Sequence, residues 1–230
     1  MGQEATLSFA RKYGGYTADE YECRRAGKKW DSENEAVEQL LAYIPEGSKT
    51  LDVPVGTGRL FPYFNARKFD TSGLDASADM LERARLAAEK VGGTVQLKEG
   101  DIRSLPYADG SFDLVVCVRF LNLIKRDGVE IVLRELTRVS RDKMLIGIRY
   151  IAPLRDLRPS SDDLVRLTSR PLWLAKWILR GSDMVIHKKK FVTGLIDRLG
   201  LTVVQTRYVE RRWDGTDYVM LLLQKRALEE

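Results

Sequence analysis

The chain has 230 residues, 44% of them hydrophobic, with a formal net charge of +5, one histidine and two cysteines. That length suits one well-buried core better than two domains, and Cys23 and Cys117 alone exclude a disulfide framework or a four-thiolate metal site. No apolar run approaches the ~20 residues that cross a bilayer, which excludes an integral membrane protein, and 1–11 hold no apolar stretch of a secretory kind, so the cytoplasm is the expected compartment.

In chain order, 31–43 open with Ser32 and Glu35 in capping-box spacing and set Ala36, Val37, Leu40 and Leu41 on one face, which predicts an amphipathic helix. Residues 50–53 form a short apolar strand running into a glycine-bearing turn, and 59–66 have helical potential. A second unit follows: 70–75 end as a strand, and 77–91 form a helix with Met80, Leu81, Ala84 and Ala87 near the 3.6-residue period, stopped by Gly92-Gly93. Further strands are expected at 95–98, 112–118 and 144–150, the last two separated by a helix around 129–139. Strands alternating with helices imply a parallel sheet with right-handed crossovers. A helix at 190–199, capped by Gly200, precedes two strand-like runs at 201–208 and 218–224, which pair as an antiparallel hairpin at the sheet edge.

The turn Leu51-Asp52-Val53-Pro54-Val55-Gly56-Thr57-Gly58-Arg59-Leu60 lies between a strand and a helix. Exposed amides and side-chain-free glycines there admit a ligand to the backbone, although Gly-Thr-Gly alone is equally an ordinary tight turn. Asp75, seventeen residues beyond Gly58, ends the second strand, from which a carboxylate accepts hydrogen bonds from both ribose hydroxyls. Glu99-Gly100-Asp101-Ile102 follows the third strand and offers a carboxylate with an apolar neighbour to an adenine ring. Each acid alone also serves as a loop or cap residue; the three elements together point to a bound nucleoside.

Over 50–150 these residues resemble the class I S-adenosylmethionine-dependent methyltransferases, whose first loop usually reads hydrophobic-Asp-hydrophobic-Gly-x-Gly-Thr-Gly. The resemblance implies a Rossmann-like fold: a mostly parallel seven-stranded sheet with an antiparallel C-terminal edge hairpin and helices on both faces. It implies S-adenosylmethionine as cofactor and S-adenosylhomocysteine as product. In this sequence the backbone of Val55, Gly56, Thr57 and Gly58 would hold the methionine moiety and Asp75 the ribose, with Asp52, Pro54 and Ala76 as further cofactor-binding positions. Met80, Asp101 and Ile102 would sit around the adenine, Val118 and Arg119 would face the sulfonium, and Cys117 would be a further cofactor-binding position. Tyr21 and Arg24 belong to an aromatic, basic stretch that resembles the N-terminal cap of many relatives and could equally be a frayed terminus. Pro54 departs from the pattern, standing where the first glycine is usual and offering no N–H. The resulting division is one domain: cap 1–30, cofactor-binding core 31–150, acceptor-side insertion 151–190, and C-terminal helix and hairpin 191–230. A nicotinamide-dependent dehydrogenase is the first rival and fits less well, lacking both Gly-x-Gly-x-x-Gly spacing and a Tyr-x-x-x-Lys pair.

Methyl transfer from a sulfonium is an in-line displacement that needs alignment, and needs a base only when the acceptor carries a proton at reaction pH. His187, before Lys188-Lys189-Lys190, reads as a surface or loop residue rather than a base. The stretch Cys117-Val118-Arg119-Phe120-Leu121-Asn122 lacks the motifs of adenine- or glutamine-amino and cytosine-C5 methylation, and no acidic triad for a metal is apparent. Arg119 and Asn122 are the polar groups able to orient an acceptor, with Arg119 equally able to pair with a carboxylate. Residues 151–190 carry nine Lys/Arg against four Asp, matching the whole chain's excess, so the remainder is neutral. Within them Trp173 and Trp177 share a helical face fringed by Arg170, Lys176 and Arg180, a pattern open to three readings: lid, helix on anionic lipid, or dimer contact. The expected acceptor is an anionic small molecule, lipid or glycan; RNA or protein methylation, or a non-catalytic cofactor-binding subunit, are the alternatives.

Overall fold

The computed structural model describes residues 28–92, 94–151, 185–212 and 216–226. Helix α1 (Lys28–Leu41) leads into β1 (Lys49–Asp52), α2 (Phe61–Ala66), β2 (Asp70–Asp75), α3 (Ala78–Val91), β3 (Val95–Glu99) and β4 (Phe112–Cys117). A 3-10 turn (Leu121–Leu123), helix α4 (Arg126–Val139), β5 (Ser140–Ile151), β6 (His187–Lys188), α5 (Lys189–Arg198), β7 (Leu201–Glu210) and β8 (Thr216–Lys225) complete the described elements.

One sheet runs β3-β2-β1-β4-β5-β8-β7. The pairs β3/β2, β2/β1, β1/β4 and β4/β5 are parallel, whereas β8 runs antiparallel to both β5 and β7. The expected hairpin is therefore present, with β7 as the edge. An eighth strand was not foreseen: the two-residue β6 pairs parallel to the end of β5 through Tyr150 and His187. Because consecutive strand residues point to opposite faces, the sheet separates two apolar layers. Ile146 and Ile148 of β5 pack with Val129, Leu133 and Leu136 of α4 and Leu195 of α5. Their neighbour Leu145 packs on the other face with Val37 and Leu40 of α1, Phe61 and Phe64 of α2, and Ala84 of α3. Five α4 side chains are buried, each contributing about 1.5–3 kcal/mol of transfer free energy.

Two local expectations are corrected. Helix α1 starts at Lys28, so Ser32 lies inside it and Ser32/Glu35 are not its capping box; Glu35 instead accepts a hydrogen bond from Gln39 Nε2 at 3.0 Å. His187 is not a surface residue: it is 1% exposed, with Nε2 2.9 Å from the Leu121 carbonyl oxygen. Burial lowers its pKa, and the nearby Arg126 cation acts in the same direction. Cys117 is fully buried and its thiol is pushed up by burial, as a structural cysteine requires; Cys23 lies outside the described residues.

Strand order reverses between β1 and β4, so the loops leaving these strands diverge and open a crevice beyond their carboxyl ends.

Candidate active site

The loop after β1 is pinned at intervals. Val53 N–H donates to the Val116 carbonyl at 2.9 Å, extending the pairing with β4, and Val55 N–H donates to the Leu74 carbonyl at 2.9 Å. Pro54, which can donate nothing, lies between these anchors, and its bond to Val53 is cis. Gly56 follows with φ +56°, and a Cβ built there meets nothing within 4 Å, so its backbone borders open space. Gly58 has φ +75°, and a Cβ there would lie 2.5 Å from the Phe61 ring.

Asp75 closes the loop from β2. One carboxylate oxygen accepts from Gly56 N–H at 2.8 Å and the other from Ser77 N–H at 3.0 Å. Ser77 in turn caps α3 by accepting from Met80 N–H. Burial raises the Asp75 pKa, opposed by the amides of Gly56, Ser77 and Ala76. Each carboxylate oxygen has two lone-pair directions, so the group can hold the loop and still receive a hydroxyl. Asp52 is 3% exposed, and burial holds its carboxyl well above the usual range against the lowering effect of Arg59.

Along the nucleoside side, Ala76 is half-buried while Met80 and Ile102 are each 5% exposed. The Asp101 carboxylate accepts from Arg103 N–H at 2.9 Å and pairs with its guanidinium at 2.6 Å, which raises the arginine pKa. Thr57 and Cys117 are buried and Val118 is half-buried.

The carboxyl end of β4 holds the second half of the site. Arg119 has φ +64°, the left-handed backbone that turns the chain sharply after Val118. Its Nε donates to Glu33 Oε2 at 2.6 Å, and its guanidinium lies 3.9 Å from the Trp30 ring centroid and 5.5 Å from that of Tyr218. Glu33 also accepts from Arg59 Nη2 at 2.5 Å, so one fully buried carboxylate joins the first residue beyond the glycine turn to the first residue beyond Val118. Asn122 is 5% exposed; its side-chain oxygen accepts the Arg149 amide, and its carbonyl accepts Val185 N–H at 2.6 Å. Its visible bonds thus join β5 to the approach to β6.

The structure therefore brings together Asp52, Pro54, Val55, Gly56, Thr57, Gly58, Asp75 and Ala76 around the first loop. Met80, Asp101 and Ile102 lie on the side of β2 and β3, and Cys117, Val118 and Arg119 end β4. Tyr21, Arg24 and the whole of 170–180 lie outside the described residues. Sequence reasoning missed Trp30 and Glu33. Their signal was available: Glu33 stands three, four and seven residues before Ala36, Val37 and Leu40, placing a charge in the stripe that faces the core.

Residues 50–143 match the family model described as a methyltransferase domain. The chain carries a class I methyltransferase domain. It is 31% identical over 172 residues to a probable methyltransferase of Aspergillus luteorubrus, covering 70% of this chain and 58% of that relative. To a phosphatidylethanolamine N-methyltransferase of Cereibacter sphaeroides it is 36% identical over 97 residues, covering 41% and 46%. The chain thus spans about half the length of these curated relatives. In fold it is similar to magnesium protoporphyrin IX methyltransferase from Synechocystis, solved with bound SAH, at a TM-score of 0.74 and 14% identity, with 96% of this chain and 99% of that one covered.

Proposed function

We propose that this methyltransferase-domain protein binds S-adenosylmethionine and transfers its methyl group to an anionic small-molecule, lipid or glycan acceptor. The observation that carries the reading is the open Gly56 backbone tied to the Asp75 carboxylate at the strand-order switch. That geometry fits an adenosyl ligand: Asp75 has lone pairs left for ribose hydroxyls, and Gly56 leaves room for close approach. Bound there, the cofactor supplies a methyl group on a sulfonium, open to in-line displacement.

The residues of this chain bind and orient. Asp75 and Ala76 take the ribose end, Met80 and Ile102 flank the base with Asp101 at its edge, and the turn from Val55 to Gly58 takes the amino-acid tail. Arg119 stands at the far end, beyond β4, where its guanidinium helps to orient the acceptor. The names of the relatives support the acceptor class, since that of the Cereibacter protein specifies a lipid and that of the Synechocystis protein a small molecule. Its negative charge rests on the basic composition of 151–190. Incubating the protein with methyl-labelled S-adenosylmethionine and separated lipid, metabolite, RNA and protein fractions tests the assignment. Label in the lipid or metabolite fraction is expected; label confined to RNA or protein moves the acceptor to that class, and label in none favours a non-catalytic binding protein.

We assign the acceptor to the stretch of 151–190 that carries Trp173 and Trp177. Replacing both tryptophans with alanine is expected to leave cofactor affinity within about threefold and to lower turnover at least tenfold, about 1.4 kcal/mol of barrier. Flotation with anionic vesicles distinguishes a lid, which does not float, from an interfacial helix, whose binding the double substitution removes. Unchanged turnover and unchanged vesicle behaviour would remove the segment from the acceptor site.

A further inference from the structure

The Glu33 carboxylate is fully buried and contacts two arginines from different loops, Arg59 at 2.5 Å and Arg119 at 2.6 Å. Trp30, one turn earlier on α1, lies 3.9 Å from the Arg119 guanidinium and 5.5 Å from that of Arg59. Arg59 is further held by Asn34, whose side-chain oxygen accepts from Nη1 at 2.6 Å. The first turns of helix α1 therefore set a carboxylate between the guanidiniums of the residues that follow the glycine turn and β4. The strands stand in the order β3, β2, β1, β4. A ligand whose ribose is fixed at Asp75 on β2 must run its remaining part toward β1 and β4, which brings its sulfur toward this cluster.

We infer that Glu33 is a positioning residue that compensates charge at the methyl-donor end, allowing the site to accept a sulfonium beside Arg59 and Arg119. The inference rests on the cofactor reading above. Two guanidiniums alone oppose a third cation; the carboxylate between them offsets one of their two positive charges. Burial makes this difference count, because interactions between charges withdrawn from water are weakly screened. S-adenosylmethionine carries the sulfonium cation and S-adenosylhomocysteine a neutral thioether, so the two ligands report the charge of the cluster at nearly constant shape. A residue that only supports the fold changes both affinities together.

The test is calorimetric titration of the full chain with each ligand. Glu33→Gln is expected to weaken S-adenosylmethionine at least fivefold more than S-adenosylhomocysteine. Arg119→Gln, which lowers the cluster charge, is expected to move the affinity ratio the opposite way, in favour of S-adenosylmethionine, and this variant decides the matter if Glu33→Gln fails to fold. Equal weakening of both ligands by the Glu33 substitution, or no opposite shift with Arg119→Gln, overturns the proposal while leaving the cofactor reading in place. A wild-type chain that binds neither ligand overturns the cofactor reading and this inference with it.

Discussion

Gly58→Ala is expected to lower the stability of the whole protein by about 2–5 kcal/mol. Two costs add. Alanine at φ +75° adopts the left-handed backbone, about 1–2 kcal/mol, and its Cβ arrives 2.5 Å from Phe61 Cε2. Phe61 is 1% exposed within the α1–α3 layer, so the ring has nowhere to retreat, and overpacking of this kind costs roughly 1–3 kcal/mol. For a chain of this length each kcal/mol moves the unfolding midpoint by about 2–4 °C. Thermal unfolding followed by circular dichroism should therefore show a fall of at least about 4 °C. A midpoint unchanged within one degree would mean that the loop does not have the described backbone. Gly56→Ala is the control: its φ is also positive, but its Cβ meets nothing. It should cost about 1–2 kcal/mol of stability and weaken cofactor binding at least tenfold, because the methyl group projects into the space assigned to the ligand.

Asp75→Ala is expected to reduce affinity for S-adenosylhomocysteine by about thirtyfold or more. The carboxylate anchors the first loop through Gly56 N–H and the start of α3 through Ser77 N–H. Alanine leaves both amides without that acceptor and also removes the partner proposed for the ribose hydroxyls. Hydrogen bonds to a charged group contribute roughly 1.5–3 kcal/mol, so losing the ribose contacts alone accounts for about 2 kcal/mol. Asp75→Asn should be intermediate, since its amide keeps one accepting oxygen but donates where the other oxygen accepted. Titration of folded Asp75→Ala with unchanged affinity would remove Asp75 from the site.

Much of this arrangement was legible because it depends on local pattern. β2 spans the predicted residues, the apolar cores of β4, β5 and β8 were read as strands, and β5 begins at Ser140, four residues before the expected start, directly after α4. Gly92 and Gly200 end helices in the left-handed conformation. The glycine turn and Asp75 were readable because each follows a strand at a spacing that reflects neighbouring strand ends. The rest required the third dimension. Arg119 and Glu33 are 86 residues apart, and nothing local to either records their meeting. The extra first turn of α1 carries Trp30 toward the two arginines, which a capping-box spacing four residues later concealed. His187 was misplaced because a two-residue strand has no period to read, and its lysine neighbours suggested solvent while pairing with Tyr150 buried the ring. Asp101 was legible as an acid after β3, but its engagement with Arg103 was not. Any ligand contact there must share that carboxylate with the guanidinium.

The Gly56–Gly58 turn and Asp75 are proposed to form an adenosyl-sulfur cofactor site. The most direct measurement is calorimetric titration of the wild-type chain with S-adenosylhomocysteine, alongside a parallel titration with a nicotinamide dinucleotide. Saturable heat at one site per chain is expected for S-adenosylhomocysteine and none for the dinucleotide. Binding of the dinucleotide without binding of S-adenosylhomocysteine would make this a nicotinamide site instead.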